Sequence, residues 1–417
     1  METRTCAGCG ARSELDYGYA RQPLSRKTFC ATCWERENVK GGVWFFATAV
    51  VGAPFLLGLL SGNVGTAVGL ALWPLAILPF LYLLVAAHEA GHALTGRLVG
   101  LPVPLVSIGI GRRAFSFHLG RTRVDLHVIP MSGFAVVGHT DARGLRWRRA
   151  LVVAAGPLVN LALAVAAIAY GWNGFLVQLN LLLFALSILP YKAQSPYGPQ
   201  RSDGLALWWL PRAGGDELDE LIADSYAVEA AVAYQDGRYD DAHRWATDGL
   251  AVHPGSHSLS GMLGGALIGL GRYREAVHLY AGELDRTDAK PQQRALHQNN
   301  LAWAALMADD PDLLPDALAA SEAAHRALPW MPCVNGTRGF ALIEAGHVAA
   351  GAELCRRAYG REKEPRNRAT MACELAIAST RLGRPAEATT LLAEARRLDP
   401  RCPLLPRAER VEAPIAG

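Results

Sequence analysis

Charge is scarce in this sequence. Only 19% of its 417 residues are Asp, Glu, Lys or Arg, against the roughly 25% of an ordinary soluble domain, while 51% are hydrophobic. That balance excludes a disordered chain and argues against a purely soluble enzyme. Charge of one sign is lacking as well: 41 basic and 38 acidic residues leave +3, which gives the whole chain no pull toward nucleic acid. Cysteine is absent between positions 33 and 333, with four of the eight in the first 33 residues and four from 333 to 402. An evenly spaced disulfide framework is thereby excluded, and a reducing, cytosolic setting fits both ends. No apolar segment directly follows a basic start, so no cleavable signal peptide is expected and membrane insertion has to come from internal segments.

Those internal segments lie between residues 43 and 190, where the long apolar runs concentrate. Residues 43–60 and 64–87 are separated by Ser61-Gly62-Asn63, and residues 150–170 and 174–189 by Gly171-Trp172-Asn173, which makes four candidate spans. Lys and Arg number seven in residues 1–42 and nine in residues 97–149, and the two tight turns hold none. By the positive-inside rule both termini and the 97–149 loop are cytoplasmic in an inner or plasma membrane. Within that loop Phe115, Phe117 and Leu119, then Gly120-Arg121, then Val124, Leu126 and Val128 spell a β-hairpin, suited either to packing on the membrane face or to holding an extended peptide by strand addition.

From residue 217 the composition turns Ala- and Leu-rich. Gly237-Arg238-Tyr239 with Ala242 recurs 34 residues later as Gly271-Arg272-Tyr273 with Ala276, the tetratricopeptide (TPR) period, and looser copies stand at Gly346 and at Gly383-Arg384-Pro385 with Ala388. The fold class expected is mainly α: a polytopic helical membrane core with a small β-hairpin, an N-terminal zinc ribbon and a C-terminal α-solenoid of TPR-like repeats. The domains expected are residues 1–42, 43–215 and 216–400, with a disordered Pro-containing tail at 401–417. The repeats carry no metal or nucleophile constellation, and Cys333, Cys355, Cys373 and Cys402 read as buried apolar side chains.

Cys6 and Cys9 pair in sequence as Cys-x2-Cys, as do Cys30 and Cys33 twenty residues on, the spacing of a four-thiolate structural zinc site. A segment this short and polar could hardly fold without such a staple. Its basic residues are offset by acidic ones, so it reads as a folding or protein-docking module with no nucleic-acid role.

The second apolar run ends in His88-Glu89-Ala90-Gly91-His92. Two imidazoles four residues apart lie on one helix face and share one zinc, with Glu89 as general base. A catalytic zinc takes three protein ligands, and the third is Asp203, the first carboxylate after the fourth run, or one of His118, His127 and His139 in the hairpin loop. Ionisable groups at membrane depth are functional by default.

With these residues in hand, the segment from about 64 to 210 resembles the site-2 protease family of intramembrane zinc metalloproteases. The likeness rests on the 88–92 motif, on Pro130-Met131-Ser132-Gly133-Phe134 and on Ala155-Gly156-Pro157-Leu158-Val159-Asn160, which is similar to the family's Ala-Gly-Pro-x-x-Asn signature. The resemblance implies His88, His92 and Asp203 as ligands of a catalytic zinc, Glu89 as the acid/base, Asp203-Gly204 as the third-ligand motif and Asn160 as a polar neighbour. Two departures stand out: Ser187-Ile188-Leu189-Pro190 replaces the family's Asn-Leu-x-Pro, and twelve residues separate Pro190 from Asp203. The expectation is an intramembrane zinc endopeptidase with one catalytic and one structural zinc. It would cut a membrane-anchored, regulatory protein such as an anti-sigma factor or tethered transcription factor, with the repeats recognising substrate or a partner. The competing expectation is a catalytically idle membrane scaffold that recruits partners through its repeats.

Overall fold

The computed structural model describes residues 3–412 apart from 16, 22–26, 35, 38–39, 41–47, 49–52, 61, 63, 139–142, 173 and 194–199. Residues 34–232 form one compact unit, and residues 1–33 with 233–417 form another. Much of the first apolar run, together with His139 and Asn173, thus falls outside the described residues. The chain begins with two short antiparallel hairpins, β1 (Arg4–Thr5) with β2 (Arg12–Ser13) and β3 (Tyr19–Arg21) with β4 (Thr28–Cys30).

In the 34–232 unit, α1 (Ala53–Leu60) precedes α2 (Val64–Leu98), which carries the second apolar run and the His-Glu-x-x-His motif in one continuous helix of 35 residues. It stops where Gly100 takes a left-handed φ of 76° and Leu101 N–H reaches back to Gly96 O, the glycine-terminated close of a helix. Strands β5 (Leu105–Leu119) and β6 (Thr122–Val136) follow, paired Leu119 to Thr122 around the expected Gly120-Arg121 turn. The start of β5 pairs twice, Leu105–Ile108 meeting Arg123–Leu126 on one side and Gly133–Val136 on the other. The hairpin therefore doubles into a small curved sheet, whose Val106, Ile108 and Val124 pack with Val85 of α2 and Val152 of the next helix.

That helix, α3 (Leu145–Ala169), and α4 (Phe175–Ile188) correspond to the third and fourth apolar runs. Among the described residues, α3 is the one helix long and apolar enough to cross a membrane, and α4 is a shorter apolar helix. After α4 the chain makes a small antiparallel excursion, β7 (Lys192–Ala193) against β8 (Gln200–Arg201), before α5 (Asp203–Trp209). Helix α6 (Gly215–Gln235) begins the repeats.

In the second unit helices α7 (Tyr239–Val252), α8 (His257–Gly269), α9 (Tyr273–Asp285), α10 (Pro291–Met307), α11 (Leu314–Ala327), α12 (Pro332–Glu344), α13 (Val348–Tyr359), α14 (Pro365–Arg381) and α15 (Pro385–Leu398) pack each against the next, α7 being followed by the pairs α8–α9, α10–α11, α12–α13 and α14–α15. The glycines picked out by the repeat are the turns inside the pairs. Gly237, Gly271, Gly346 and Gly383 have φ of 74°, 74°, 87° and 71°, a conformation open to Gly without strain. The alanines at the matching offset, Ala242, Ala276 and Ala388, are buried, and in the copy at Gly346 the buried Gly351 takes that place. The pair α10–α11 carries no Gly-Arg signal because Asp309 takes the left-handed turn at φ 54°, which Asp tolerates better than most residues.

Three expectations are corrected here. Residues 401–412 are not a disordered tail: Leu405–Glu412 forms helix α16, with Leu404, Leu405 and Ala408 buried and Arg407 bonded to Leu306 O at 2.8 Å and Glu344 Oε2 at 2.7 Å. The ribbon does not stand apart, because residues 1–33 cluster with the repeats: Ser13 Oγ donates to Ala327 O at 2.7 Å and Tyr19 meets Trp330 edge-on at 6.5 Å. Of the four late cysteines, Cys355, Cys373 and Cys402 are buried as expected and Cys333 is half-buried.

Candidate active site

The apolar walls of the 34–232 unit enclose a polar cavity of about 380 Å³, lined among others by His88, Glu89, His92, Arg149, Asn160 and Asp203. His88 and His92 come to it one helical turn apart on α2. Asp203 comes from the first residue of α5, and Ser202 explains how a loop of twelve residues still delivers it. Ser202 Oγ donates to Leu189 O at 2.6 Å, accepts from Tyr191 N–H at 3.1 Å and caps α5 by accepting from Leu205 N–H at 3.2 Å. The chain leaves at Pro190, turns through β7–β8 and is pinned to its point of departure. Gly204 then lies against Ile188 O so closely that any Cβ would overlap that carbonyl.

The three side chains converge on one point. His88 Nε2 lies 3.2 Å from His92 Nε2 and 3.3 Å from Asp203 Oδ2, and His92 Nε2 lies 3.7 Å from the same oxygen. A tetrahedral zinc with N and O ligands at about 2.0–2.1 Å holds its donors about 3.3–3.4 Å apart, so this triangle fits such an ion. Of the other ligands considered, His118 and His127 sit in β5 and β6 and are not brought to the cavity, His127 bonding Gly111 O at 2.9 Å.

Hydrogen bonds behind the imidazoles fix which nitrogen each presents. His92 Nδ1 is 2.7 Å from Val152 O, a carbonyl that can only accept, so Nδ1 carries the proton and Nε2 the free lone pair. For His88 the same logic runs through two amides. Asn180 Nδ2 donates to Leu176 O at 2.9 Å, Asn160 Nδ2 donates to Asn180 Oδ1 at 3.2 Å, and Asn160 Oδ1 therefore accepts from His88 Nδ1–H at 2.7 Å. Both asparagines are fully buried. Asn160 stands where the sequence motif put it. Asn180 was not singled out from the sequence, although a lone Asn in the apolar run 175–188 is the signal that finds it.

Glu89 is 4% exposed, and its Oε2 has no hydrogen-bond partner. The β6 backbone closes over it: a Cβ on Gly133 would fall 2.7 Å from Glu89 Oε1. Gly156 likewise leaves room for the imidazoles, since a Cβ there would overlap His92 Nε2 and lie 2.7 Å from His88 Nε2. Arg149 is a wall of the cavity, with Nη1 donating to Val137 O at 3.1 Å.

In the other unit Cys6, Cys9, Cys30 and Cys33 bring their sulfurs within 4.8 Å of one another and form no disulfide. Cys9 and Cys30 Sγ are 3.7 Å apart, close to the separation set by zinc–sulfur bonds of about 2.3 Å in a tetrahedron. The backbone N–H groups of Gly8 and Cys30 point at Cys6 Sγ at 3.4 and 3.3 Å, suiting a thiolate there. The sequence offered no metal constellation in the repeats, yet the fold gathers His257, Glu283 and His297 into a third donor group.

Residues 76–356, more than half of the chain, match the profile of peptidase family M50, the site-2 protease family, and the chain belongs to that family. It is 36% identical over 176 residues to a putative zinc metalloprotease of Neisseria meningitidis serogroup A, covering 39% of each chain. It is 32% identical over 122 residues to the zinc metalloprotease Rip1 of Mycobacterium tuberculosis, covering 25% of this chain and 29% of that one. The chain thus spans less than half the length of these curated relatives. Among solved structures, a TPR protein of Thermus thermophilus is 21% identical and covers 45% of this chain and 98% of its own, with TM-score 0.37.

Proposed function

We propose that this chain is a membrane-embedded zinc endopeptidase that cuts a membrane-anchored protein in or near its span. The observation that carries the reading is the joint placement of three zinc-spaced donors and a buried Glu89 whose Oε2 has no hydrogen-bond partner in one polar cavity. The helices around that cavity are polar inside and apolar outside. Asn160 and Asn180 face inward while Leu151, Leu158, Val165 and Leu182 are exposed, an arrangement suited to lipid. Four spans with both termini cytoplasmic complete the reading.

His88, His92 and Asp203 would hold the catalytic zinc, which when bound supplies a Lewis acid that acidifies water and polarises a peptide carbonyl. Asn160 and Val152 O keep both imidazoles in the ligating tautomer. Glu89 Oε2 is the atom that takes the proton from the attacking water and returns it to the leaving amine. Gly133 and its strand lie directly over that carboxylate, a position from which the sheet holds an unwound substrate segment as an added strand. Cys6, Cys9, Cys30 and Cys33 would hold a structural zinc, and the repeats, with no catalytic groups of their own, would recognise substrate or a partner protein.

Cleavage of a reporter membrane-anchored peptide by the purified chain in detergent tests this reading, with zinc counted on wild type and Glu89→Gln. Wild type is expected to cut and Glu89→Gln to keep its zinc while losing at least about 100-fold in rate. If both keep zinc and neither cuts any of a panel of membrane helices, the chain is an idle scaffold and the proposal fails.

A further inference from the structure

Three consecutive helices of the repeats, α8, α9 and α10, each send one ionisable side chain to a common point: His257, Glu283 and His297. All three are more than nine-tenths buried. His257 Nδ1 lies 2.7 Å from Glu283 Oε2, and His297 Nε2 lies 3.8 Å from the same oxygen. His297 is the anomaly, because it is 3% exposed and neither ring nitrogen has a hydrogen-bond partner. A neutral imidazole carries one donor and one acceptor, so burying it bare forfeits both, and such a group calls for a water or an ion.

The surroundings favour an ion. Arg286 Nη1 lies 3.2 Å from Glu283 Oε1 and 3.4 Å from Oε2, and Oε2 is also the oxygen that faces the two imidazoles. The other nitrogen of His257, Nε2, faces Asp288 Oδ1 at 3.4 Å, and Arg286 clamps that carboxylate through bonds of 2.8 and 3.1 Å. A histidine whose second nitrogen faces a fixed carboxylate is the usual form of a metal ligand.

We propose that His257, Glu283 and His297 form a further metal site, distinct from the His88–His92–Asp203 group and from the four cysteines, which binds a zinc-class divalent cation. Two imidazoles and a carboxylate are a donor set suited to zinc. A tetrahedral ion holds such donors about 3.3–3.4 Å apart, so it enters by replacing the His257–Glu283 hydrogen bond, moving His257 outward and His297 inward by about half an ångström each. His257 changes tautomer, its one proton moving from Nδ1 to Nε2 by exchange with solvent, and Nε2–H then points at Asp288. The ion ties three successive helices together and is a staple of the repeats with no part in peptide cleavage.

Metal analysis of the full-length chain in detergent, saturated with zinc and desalted, tests the site. His297→Phe, which fills the space without a donor, is expected to hold one zinc fewer per chain than wild type while cutting the reporter peptide within about two-fold of its rate. Equal zinc on wild type and His297→Phe overturns the proposal and assigns the gap to a water. Should His297→Phe fail to fold, Glu283→Gln keeps the shape of the site and carries the same comparison. If neither variant folds, the wild-type count decides, three ions per chain upholding the site and two or fewer overturning it.

Discussion

The two donor groups anticipated from the sequence, His88–His92–Asp203 and the four cysteines, are built on opposite plans. The cysteine group is closed: four sulfurs face one another, backbone N–H groups approach Cys6, and two short hairpins with the helical turn after the second supply all the ligands. The histidine group is open, with three donors, a cavity beside them and a buried carboxylate whose Oε2 has nothing to bond. Four thiolates leave an ion no free position and serve folding, whereas three donors beside a base leave room for water and a substrate carbonyl. The difference is not one of donor chemistry alone; it lies in what each fold keeps unsatisfied.

The largest effect is expected from breaking the closed group. Cys30→Ser removes one of four thiolates from a segment too small to fold unaided, and structural zinc in such modules is worth about 10 kcal/mol or more of folding free energy. The variant should lose one zinc per chain and become open to limited proteolysis within residues 1–33, with reporter cleavage read alongside. Proteolytic resistance equal to wild type would mean that docking against Trp330, and not the metal, holds the ribbon.

Weakening the open group should be milder. Asn160→Leu keeps the volume but leaves His88 Nδ1–H and Asn180 Oδ1 without their partners. Zinc affinity at the His88 site is expected to fall about 10- to 100-fold, measured by competition with a chelator, while the cysteine zinc stays bound. An unchanged affinity would show that the two asparagines merely pack.

The smallest effect separates the buried carboxylate proposed as the base from one in the repeats. Glu374, like Glu89, is buried with an unpartnered Oε2, but it sits in the repeats beside Gly336 and Met371, and burial pushes its pKa up to about 8 from the ordinary 4.5. The folded state thus favours the protonated acid. Its contribution to stability is complete below pH 4.5, declines as the unfolded chain ionises and is lost as pH rises through 8. Glu374→Gln should flatten the fall in melting temperature between pH 5 and 8, an effect of a few kcal/mol at most, without altering cleavage. An identical pH slope in wild type and variant would remove Glu374 as its source.

Much of the site was legible because its chemistry is local. Two histidines at a spacing of four share a helix face wherever the helix lies, and two Cys-x2-Cys pairs carry their geometry with them. The repeat was legible through its turns, since a glycine in the left-handed conformation marks four of them, the first two 34 residues apart. It faded where Asp309 took that conformation instead. Asp203 was harder, because its approach depends on Ser202 gripping Leu189 O across an excursion whose length says nothing about its return. Asn180 and Arg149 were not assigned to the site because an amide in an apolar run and an arginine at its end have several ordinary uses, and only packing selects among them.

The sequence by itself determined which segments are apolar enough to lie in lipid, which residues hold metal-type donors at fixed local spacing, and that the last half of the chain is a helical repeat, because each property repeats within a turn or a few turns of backbone. Tertiary structure alone decided that Asp203 completes the first donor group, that the ribbon and residues 401–412 join the repeats, and that His257, Glu283 and His297 meet. Those are encounters between side chains up to a hundred residues or more apart in sequence, and only the packing of whole helices and sheets brings them to one point.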